Sequence, residues 1–431
     1  MKKVIRLVLL FIGGTLLNAI AGILNMWGTI APYIGSYYHH IDNSVYVSDF
    51  IIVSLISYIS ETSFTMLACY LIRCMTPYWI LTIGVSITTI GIFGCSYILN
   101  PYLFIWVFSL CIGALSSSIY LPSLWILWNE YPEHKSRTSG IILAGYSFGP
   151  VPFSILFTMV VNPYDYPAET VKKNGQEDEQ VFGDYVSYRV PMTIRWMAFA
   201  VAIGCLIGIA CLPRKWKTDS TPASNRKPTL TMCDMFKSAK AWNLFFMLLL
   251  GMSSMSYIVS VYKIIGIQYI KDDHFVSFTG SVTFFVSCFG RIFYGFLFDK
   301  YYWKRVMVVT YLLLIIFLVT FDFCLESKFL FSFWIIAIGF LGASIYNSVL
   351  IQSDKDFPLD KWILSYICLA FIPDFGLPYV FEKWITPEIG YFASFSILAG
   401  LTGIAVLEVI FHPDKVGLID DKKENEDTFI S

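Results

Sequence analysis

Twelve long apolar segments recur along this 431-residue chain, and they constrain its fold more than any other feature of the sequence. A helix needs about 20 apolar residues to cross the hydrocarbon core of a bilayer. A lone strand there would leave its backbone edge unpaired, so we expect all twelve segments to be helices. The segments cover residues 7–35, 48–71, 78–98, 102–128, 138–161, 191–212, 242–264, 275–298, 306–325, 329–352, 361–382 and 389–411.

The composition agrees with a membrane protein and excludes several other classes. Hydrophobic residues make up 56% of the chain and charged residues only 14%, which excludes a disordered chain, a disulfide-rich secreted module and an ordinary cytosolic enzyme. The net charge of -1 gives no field that would attract nucleic acid. The ten cysteines form no CxxC pair, and neither HExxH nor GxxxxGK[ST] occurs. We therefore expect no cofactor, no metal site and no enzymatic activity.

The distribution of lysine and arginine predicts how the chain is oriented. If the N-terminus is cytoplasmic, most of the cations outside the apolar segments fall on the cytoplasmic side, as the positive-inside rule requires. An even number of spans returns the C-terminus to the same side. We expect an integral multi-pass membrane protein with both termini in the cytoplasm, in the plasma membrane rather than in an organelle.

The segments divide into two sets of six. Residues 1–213 form a predicted N-terminal six-helix bundle and residues 241–413 a C-terminal one, joined by a basic cytoplasmic linker at 214–240. The charged tail 414–431 is expected to be disordered and cytoplasmic. The acidic segment 162–190 is expected to form a mobile loop on the outer side.

A motif of glycines and charges ends the eighth segment. It reads Gly290-Arg291-Ile-Phe-Tyr-Gly295-Phe-Leu-Phe-Asp299-Lys300, and Lys304 and Arg305 follow it. Glycines let two helices approach closely, and a carboxylate at a helix end can pair with loop cations or cap a neighbouring helix. We predict that these residues form a conformational latch of a two-state carrier. The alternative is a packing face of small residues with no such role.

This motif resembles the GRxxxGxxxDK/R signature of major facilitator transporters, and further stretches extend the resemblance. They are Gly13-Gly14, Trp27-Gly28 and Pro32-Tyr33-Ile34 in span 1, Gly113, Tyr120, Pro122 and 128–132 in span 4, Ser139-Gly140, Gly145-Tyr146 and Gly149 in span 5, and Tyr262-Lys263 in span 7. Together they resemble the oxalate/formate antiporter and monocarboxylate porter branch, in particular its divergent protist members, over residues 10–410. The resemblance implies two bundles that rock around a central site for a small organic anion.

Two ionisable residues deep in the spans are candidates for transport chemistry, because burying charge in a bilayer is costly. The resembled family binds the substrate carboxylate with an arginine of span 8, and the resemblance carries that role to Arg291. Its planar guanidinium fits a carboxylate through two hydrogen bonds. The alternative is an arginine that extends to the membrane interface. Glu61 in span 2 is a candidate for proton coupling, since burial favours its neutral form. It could equally be a neutral acid bonded to nearby hydroxyls.

Two further charged residues lie in the second half. Asp374 stands between Pro373 and Pro378 in span 11, where prolines and a glycine are expected to break the helix. It could pair with Arg291 when no substrate is bound, or it could be a structural acid at a kink. Oxalate-type relatives carry a lysine within span 11, and its absence here favours a monoanion or a zwitterion. Lys263 near the outer end of span 7 could attract anions or reach the interface.

Four tyrosines complete the predicted substrate site, namely Tyr33, Tyr120, Tyr146 and Tyr257. They lie on spans that line the cavity in the resembled fold, where hydroxyls and an apolar wall suit a small ligand. We predict a secondary transporter of a small organic anion that works as an antiporter or proton symporter, with lipid, substrate and a co- or counter-transported proton or anion as partners. A zwitterion carrier whose Asp374 contacts an ammonium group, and a membrane receptor or scaffold, are the alternatives.

Overall fold

The computed structural model of the chain describes residues 2–72, 74–131, 135–164, 166–172, 178–214, 232–270, 272–357 and 362–413. Within them, eleven segments are long and apolar enough to cross a membrane. The last segment, Ile363–Phe411, has 49 residues, which is more than twice the length that one crossing needs. It is interrupted at Gly390, whose φ of 76° lies in the left-handed region that favours glycine. This segment therefore holds two spans, and the predicted all-α membrane fold of twelve spans in two halves is confirmed.

The helices that form the spans agree with the predicted segments to within a few residues at most ends. Spans 1 to 6 consist of Lys2–Ala21 with Gly22–Met26 and Trp27–Ile41, Val47–Ile51 with Ile52–Leu71, Pro77–Cys95, Pro101–Glu130, Lys135–Phe148 with Pro150–Val161, and Val190–Cys211. Spans 7 to 12 consist of Ala239–Tyr269, Asp273–Lys300, Trp303–Thr320 with Phe321–Cys324, Lys328–Asp356, Trp362–Cys368 with Phe371–Val380 and Phe381–Ile385, and Thr386–Phe411. Short helices at Asp184–Ser187 and Met232–Lys237 lie between spans.

Local sequence explains where several helices begin. Pro77 and Pro101 occupy the first turn of their helices, where a missing N–H group costs no hydrogen bond. The Asn100 side chain accepts a hydrogen bond from the backbone N–H of Leu103 at 3.0 Å. Asp272 does the same for Phe275 at 3.0 Å. These caps satisfy N–H groups that a helix would otherwise leave exposed to lipid.

Glycine brings the helices of the first half into backbone contact. A Cβ atom at Gly149 would lie 1.7 Å from the carbonyl oxygen of Ala19. Spans 5 and 1 can therefore approach this closely only if residue 149 is glycine. A Cβ atom at Gly113 would lie 2.2 Å from the carbonyl oxygen of Ser57, which fixes span 4 against span 2.

The two halves meet along spans 2 and 11, spans 5 and 8, and spans 1 and 7, and Tyr120 of span 4 contacts Tyr346 of span 10. We call the contact between spans 2 and 11 the seam. Along it, Ser365 Oγ donates to Cys69 Sγ at 2.8 Å, and Thr62 Oγ1 donates to the Cys368 carbonyl at 3.2 Å. The functional residues described below lie at or beside these contacts.

Two faces of the bundle are distinguished by what they carry. We call the face where the chain begins and ends the terminal face. There Lys304 Nζ donates to the His412 carbonyl at 2.6 Å, and Arg6 lies 3.6 Å from Glu130. The opposite face carries the only strands in the described residues, so we call it the hairpin face.

The predicted mobile loop at 162–190 contains ordered structure in its described part. Strands β1 (Ala168–Lys172) and β2 (Asp178–Phe182) pair antiparallel, with Ala168 opposite Phe182. Span 1 fastens the hairpin, because Ser36 Oγ accepts from the Phe182 N–H at 2.9 Å and His40 Nε2 contacts the Phe182 carbonyl at 2.8 Å. The described part of 162–190 therefore contains a β-hairpin anchored to span 1, and its mobility stays a prediction. Most of the predicted linker, 215–231, and the tail, 414–431, lie outside the described residues.

Candidate substrate site between the two halves

Arg291 lies in span 8, about 27 Å along the helix axis from Asp273 and about 14 Å from Lys300. Its side chain is half-buried, and Cζ lies 5.8 Å from the ring centre of Tyr146 in span 5. No carboxylate of the described residues forms an ion pair with it, and its Nε has no hydrogen-bond partner. Its electrostatic neighbours are Tyr146, Tyr120 and Tyr346, which come from both halves. A guanidinium in this position has unused hydrogen-bonding capacity for an anion.

Glu61 belongs to the half opposite that of Arg291. It accepts a hydrogen bond from Ser116 Oγ of span 4 at 2.6 Å, rather than from the hydroxyls beside it on span 2. Tyr146 of span 5 has both Glu61 and Arg291 among its charged neighbours. The fold therefore places one ring within reach of two residues that lie 230 positions apart in the sequence.

Aromatic rings from both halves surround Arg291. The Tyr120 hydroxyl of span 4 donates to the Tyr346 hydroxyl of span 10 at 2.7 Å. The ring of Tyr120 also lies 6.1 Å from that of Tyr146, edge to face. We call the group of residues around Arg291 the central cluster. It consists of Glu61, Ser116, Tyr120, Tyr146, Arg291 and Tyr346.

Three residues beside the central cluster escaped the sequence analysis. Asn25 accepts from the Tyr58 hydroxyl at 2.8 Å and also hydrogen-bonds Tyr146. The ring of Tyr58 stacks on Phe375 of span 11, with ring centroids 3.4 Å apart. Asn25 carried a detectable signal, because a lone amide inside an apolar span needs a partner. Tyr58 and Phe375 carried none, since aromatic residues are common on every span.

Asp374 is fully buried in span 11. It accepts a hydrogen bond from Ser256 Oγ of span 7, and its Oδ1 has no partner. The helix around it runs unbroken from Phe371 to Val380 and includes Pro378, so the predicted break is displaced. The turn at 369–370 and the π-helix Phe381–Ile385 interrupt span 11 instead. In this structure the suggested pair of Asp374 with Arg291 does not form.

Tyr33 and Lys263 lie apart from Arg291 and near the hairpin face. Lys263 is 5% exposed, and its Nζ lies 5.9 Å from the ring centre of Tyr33. The other side of Tyr33 packs against Phe157 and Phe182, with ring centroids at 6.3 and 4.7 Å. We call Tyr33, Phe157, Phe182 and Lys263 the hairpin-face cluster. Along span 7, Lys263 is about 10 Å beyond Ser256.

Tyr257 packs within the second half. Its side chain is fully buried, and its hydroxyl donates to Glu382 Oε1 at 2.6 Å and contacts Thr386 Oγ1 at 3.1 Å. Its ring packs on Phe381 and Phe395. These contacts join span 7 to spans 11 and 12 rather than facing Arg291.

The architecture, with twelve spans in two halves and a polar cluster between them, agrees with a family comparison. Residues 10–361 match the family model of the Major Facilitator Superfamily. The chain belongs to the Major Facilitator Superfamily. It is therefore a multi-pass membrane transporter of this superfamily, and a small-molecule substrate follows from that membership. No curated protein matches the chain.

Among the described residues of the latch motif of this major facilitator, Arg291 faces Tyr146 of the first half, whereas Gly290 and Lys304 contact the second half. A Cβ atom at Gly290 would lie 3.0 Å from the Phe340 carbonyl oxygen of span 10, whereas one at Gly295 would meet open space. Of these two glycines, only Gly290 therefore lies where span 8 packs closely against span 10. Lys304 joins span 9 to the end of span 12 through the carbonyls of Ile410 and His412. Lys300 Nζ lies 5.4 Å from the ring centre of Tyr301, and Arg305 is exposed. The side chain of Asp299 lies outside the described residues.

The chemistry available to this major facilitator at the central cluster is reversible binding. One fixed cation, one carboxyl group and several hydroxyls are present, and they come from both halves. Among the described residues, no group of three or more His, Cys, Asp or Glu side chains could hold a metal ion. The arrangement can recognise a small anion and can change its contacts when the halves move.

Proposed function

We propose that this protein is a secondary active transporter of a small organic anion, with a monocarboxylate as the main substrate class. It would belong to the oxalate/formate antiporter and monocarboxylate porter branch. The two halves, 1–213 and 241–413, would rock about the central cluster so that it faces one side of the membrane at a time. Both termini would be cytoplasmic in the plasma membrane, as the positive-inside pattern indicates.

One observation carries this proposal, namely that Arg291 has no carboxylate partner among the described residues. A cation at bilayer depth without a counter-charge costs several kcal/mol. A substrate carboxylate would remove that cost and could form two parallel hydrogen bonds to the guanidinium. Tyr120, Tyr146 and Tyr346 would supply hydroxyls and an apolar wall to a ligand of small size.

Glu61 would bind and release the coupled proton next to the substrate. Glu61 lies close enough to Tyr146 to act on the ring over which Arg291 is placed. A proton on Glu61 would offset the negative charge that the substrate brings to the cluster. This arrangement supports proton symport, and antiport of two anions would leave the proton in place.

A zwitterion carrier is the second candidate. Tyr58 has both Arg291 and Asp374 among its electrostatic neighbours, so a guanidinium and a carboxyl group lie within reach of one ring. An amino acid could place its carboxylate toward Arg291 and its ammonium group toward Asp374. The third class, a receptor or scaffold, would show no transport at all.

Uptake into proteoliposomes tests the proposal. The purified protein is reconstituted, and uptake of labelled lactate, formate, oxalate and a neutral amino acid is measured with and without a pH gradient. We expect uptake of a monocarboxylate that a substrate-side acidification increases. Uptake of the amino acid alone would select the zwitterion carrier, and no uptake of any probe would favour the receptor or scaffold.

Two variants make the same measurement specific for the site. Arg291→Ala is expected to lose uptake, because the anion would enter without a counter-charge. Arg195→Ala is the matched control, since Arg195 also contacts a tyrosine ring, at 4.4 Å, but lies on span 6 with Ser96 as its hydrogen-bond partner. Unchanged uptake in Arg291→Ala would overturn the anchoring role.

A further inference from the structure

Asp374 has no counter-charge among the described residues. Its side chain is fully buried, Oδ1 has no hydrogen-bond partner, and Ser256 Oγ donates to Oδ2. Apart from burial itself, the Ser256 hydroxyl is the interaction that acts on this carboxyl group. An ionised carboxylate in such surroundings would cost several kcal/mol, so burial favours the protonated form of this group.

The position of Asp374 links that proton to the contact between the halves. The next residue, Phe375, stacks on Tyr58 across the seam, and a Cβ atom at Gly376 would lie 3.7 Å from Leu55. These contacts exclude water from one side of Asp374, and Ser256 on span 7 covers another. The carboxyl group stays dry only while the seam is closed.

The other ionisable groups on the packed elements are engaged elsewhere. Glu61 of span 2 bonds to Ser116, and Glu382 of the π-helix accepts from Tyr257. Lys263 of span 7 lies over Tyr33, and Lys383 donates to Tyr379. Tyr58 of span 2 is the ionisable group on which Asp374 acts, and Arg291 of span 8 acts on it as well.

We propose that Asp374 is a proton-binding site of the transport cycle, occupied while the seam is closed and vacated when the seam opens. On opening, the carboxyl O–H bond breaks, the proton passes to entering water, and the hydrated carboxylate remains. On closing, the carboxylate must take a proton back before it can be buried. The site differs from Glu61, whose carboxyl group bonds to Ser116 of span 4 and not across the seam. The proposal rests on the alternating movement assumed in the proposed function.

Native cysteines at the seam report its opening without any substrate. Cys69 and Cys368 are both buried on spans 2 and 11, whereas Cys74 is exposed. The protein in lipid nanodiscs is treated briefly with N-ethylmaleimide at a series of pH values, and labelling of each cysteine is measured by peptide mass spectrometry. Labelling at the seam is divided by labelling of Cys74 in the same sample.

We expect the wild-type ratio to rise by about tenfold over two pH units as Asp374 ionises and the seam opens. Asp374→Asn, which keeps the shape of the neutral acid, should hold the ratio low and change it less than about twofold. Because the same cysteines are compared in both proteins, their own titration cancels. A rise in Asp374→Asn equal to that of the wild type would overturn the proposal.

Two further variants keep the test decisive. Asp184→Asn makes the same acid-to-amide change at the hairpin face, where the side chain is 73% exposed, and should keep the wild-type profile. Ser256→Ala removes a donor that stabilises the charged form more than the neutral one, so its profile should move to higher pH. An unmoved profile in Ser256→Ala would contradict the proposal even if Asp374→Asn failed to fold. Absence of uptake with a normal labelling profile would reject the transport of these probes and leave the proton site standing.

Discussion

The central cluster and the hairpin-face cluster each place a cation over a tyrosine ring contributed by the other half, yet their surroundings differ. Arg291 is half-buried among three tyrosines that reach it from both halves. Lys263 is 5% exposed, and the ring below it, Tyr33, is covered by Phe182 of the hairpin. A cation over a ring is thus common to both clusters. They differ in that the buried Arg291 Nε has no hydrogen-bond partner among the described residues.

The largest difference is expected between two charge-removing variants. Arg291→Gln should reduce monocarboxylate uptake by about 100-fold, since an anion in a low-dielectric site would lose a fixed counter-charge worth about 3 kcal/mol. Lys263→Gln should change uptake by less than about threefold, because its ring partner lies under the hairpin. Initial uptake rates in matched proteoliposomes measure both. Equal losses of uptake in the two variants would contradict this difference between the clusters and would indicate that Lys263 also binds substrate.

The next effect concerns pH. Glu61→Gln should flatten the pH dependence of uptake, from about tenfold between pH 5.5 and 7.5 to less than about twofold, because the amide cannot exchange a proton. Uptake against an identical internal concentration of substrate should persist, since exchange needs no net proton movement. A retained pH dependence in this variant would remove Glu61 from proton coupling.

A smaller effect should come from the hydroxyl contact that joins the halves. Tyr120→Phe and Tyr346→Phe should each destabilise the closed arrangement, and the double variant should reveal a coupling free energy of about 1 kcal/mol. Thermal unfolding in detergent measures the cycle. Tyr257→Phe combined with Tyr120→Phe is the control, because Tyr257 bonds within the second half and its effect should add. Additivity of Tyr120→Phe with Tyr346→Phe would show that the contact carries no energy.

The smallest effect is expected at the hairpin face. His40 Nδ1 lies 3.1 Å from Asp184 Oδ1, but the Asp184 side chain is 73% exposed. Pairs this exposed contribute less than about 1 kcal/mol. Asp184→Asn should therefore leave uptake unchanged and shift the Tm by less than about 2 °C. A large loss of uptake here would mean that the hairpin takes part in the transport movement.

Hydrophobic segment length was enough to predict the twelve spans and most of their ends. It did not reveal the hairpin within 162–190, whose backbone is bonded by Ser36 and His40, more than 100 residues earlier. The break predicted around Pro373 and Pro378 appeared at neighbouring positions. A proline in a helix needs only a local rearrangement, and tertiary packing decides where that rearrangement falls.

The candidate site was partly visible in the sequence. Arg291, Glu61 and Asp374 stood out because an ionisable side chain at bilayer depth costs free energy and is therefore a functional candidate. Their relationships were not visible. The sequence grouped Tyr33, Tyr257 and Lys263 with Arg291, whereas the structure places Tyr33 and Lys263 under the hairpin and Tyr257 inside the second half. Any residue on a cavity-facing span is a candidate until its depth and facing direction are known.

The sequence by itself therefore determined the solvent, the number of crossings and the family, because each depends on the summed hydropathy or the motifs of continuous segments. Only the tertiary structure decided which charges have partners. In the structure, Glu61 accepts a hydrogen bond from span 4, and Arg291 lies among tyrosines. Asp374 lies in the seam, where the Ser256 hydroxyl is its hydrogen-bond donor. Pairing depends on distances between segments that are remote in the chain, and a buried charge responds to those distances far more strongly than to its neighbours in sequence.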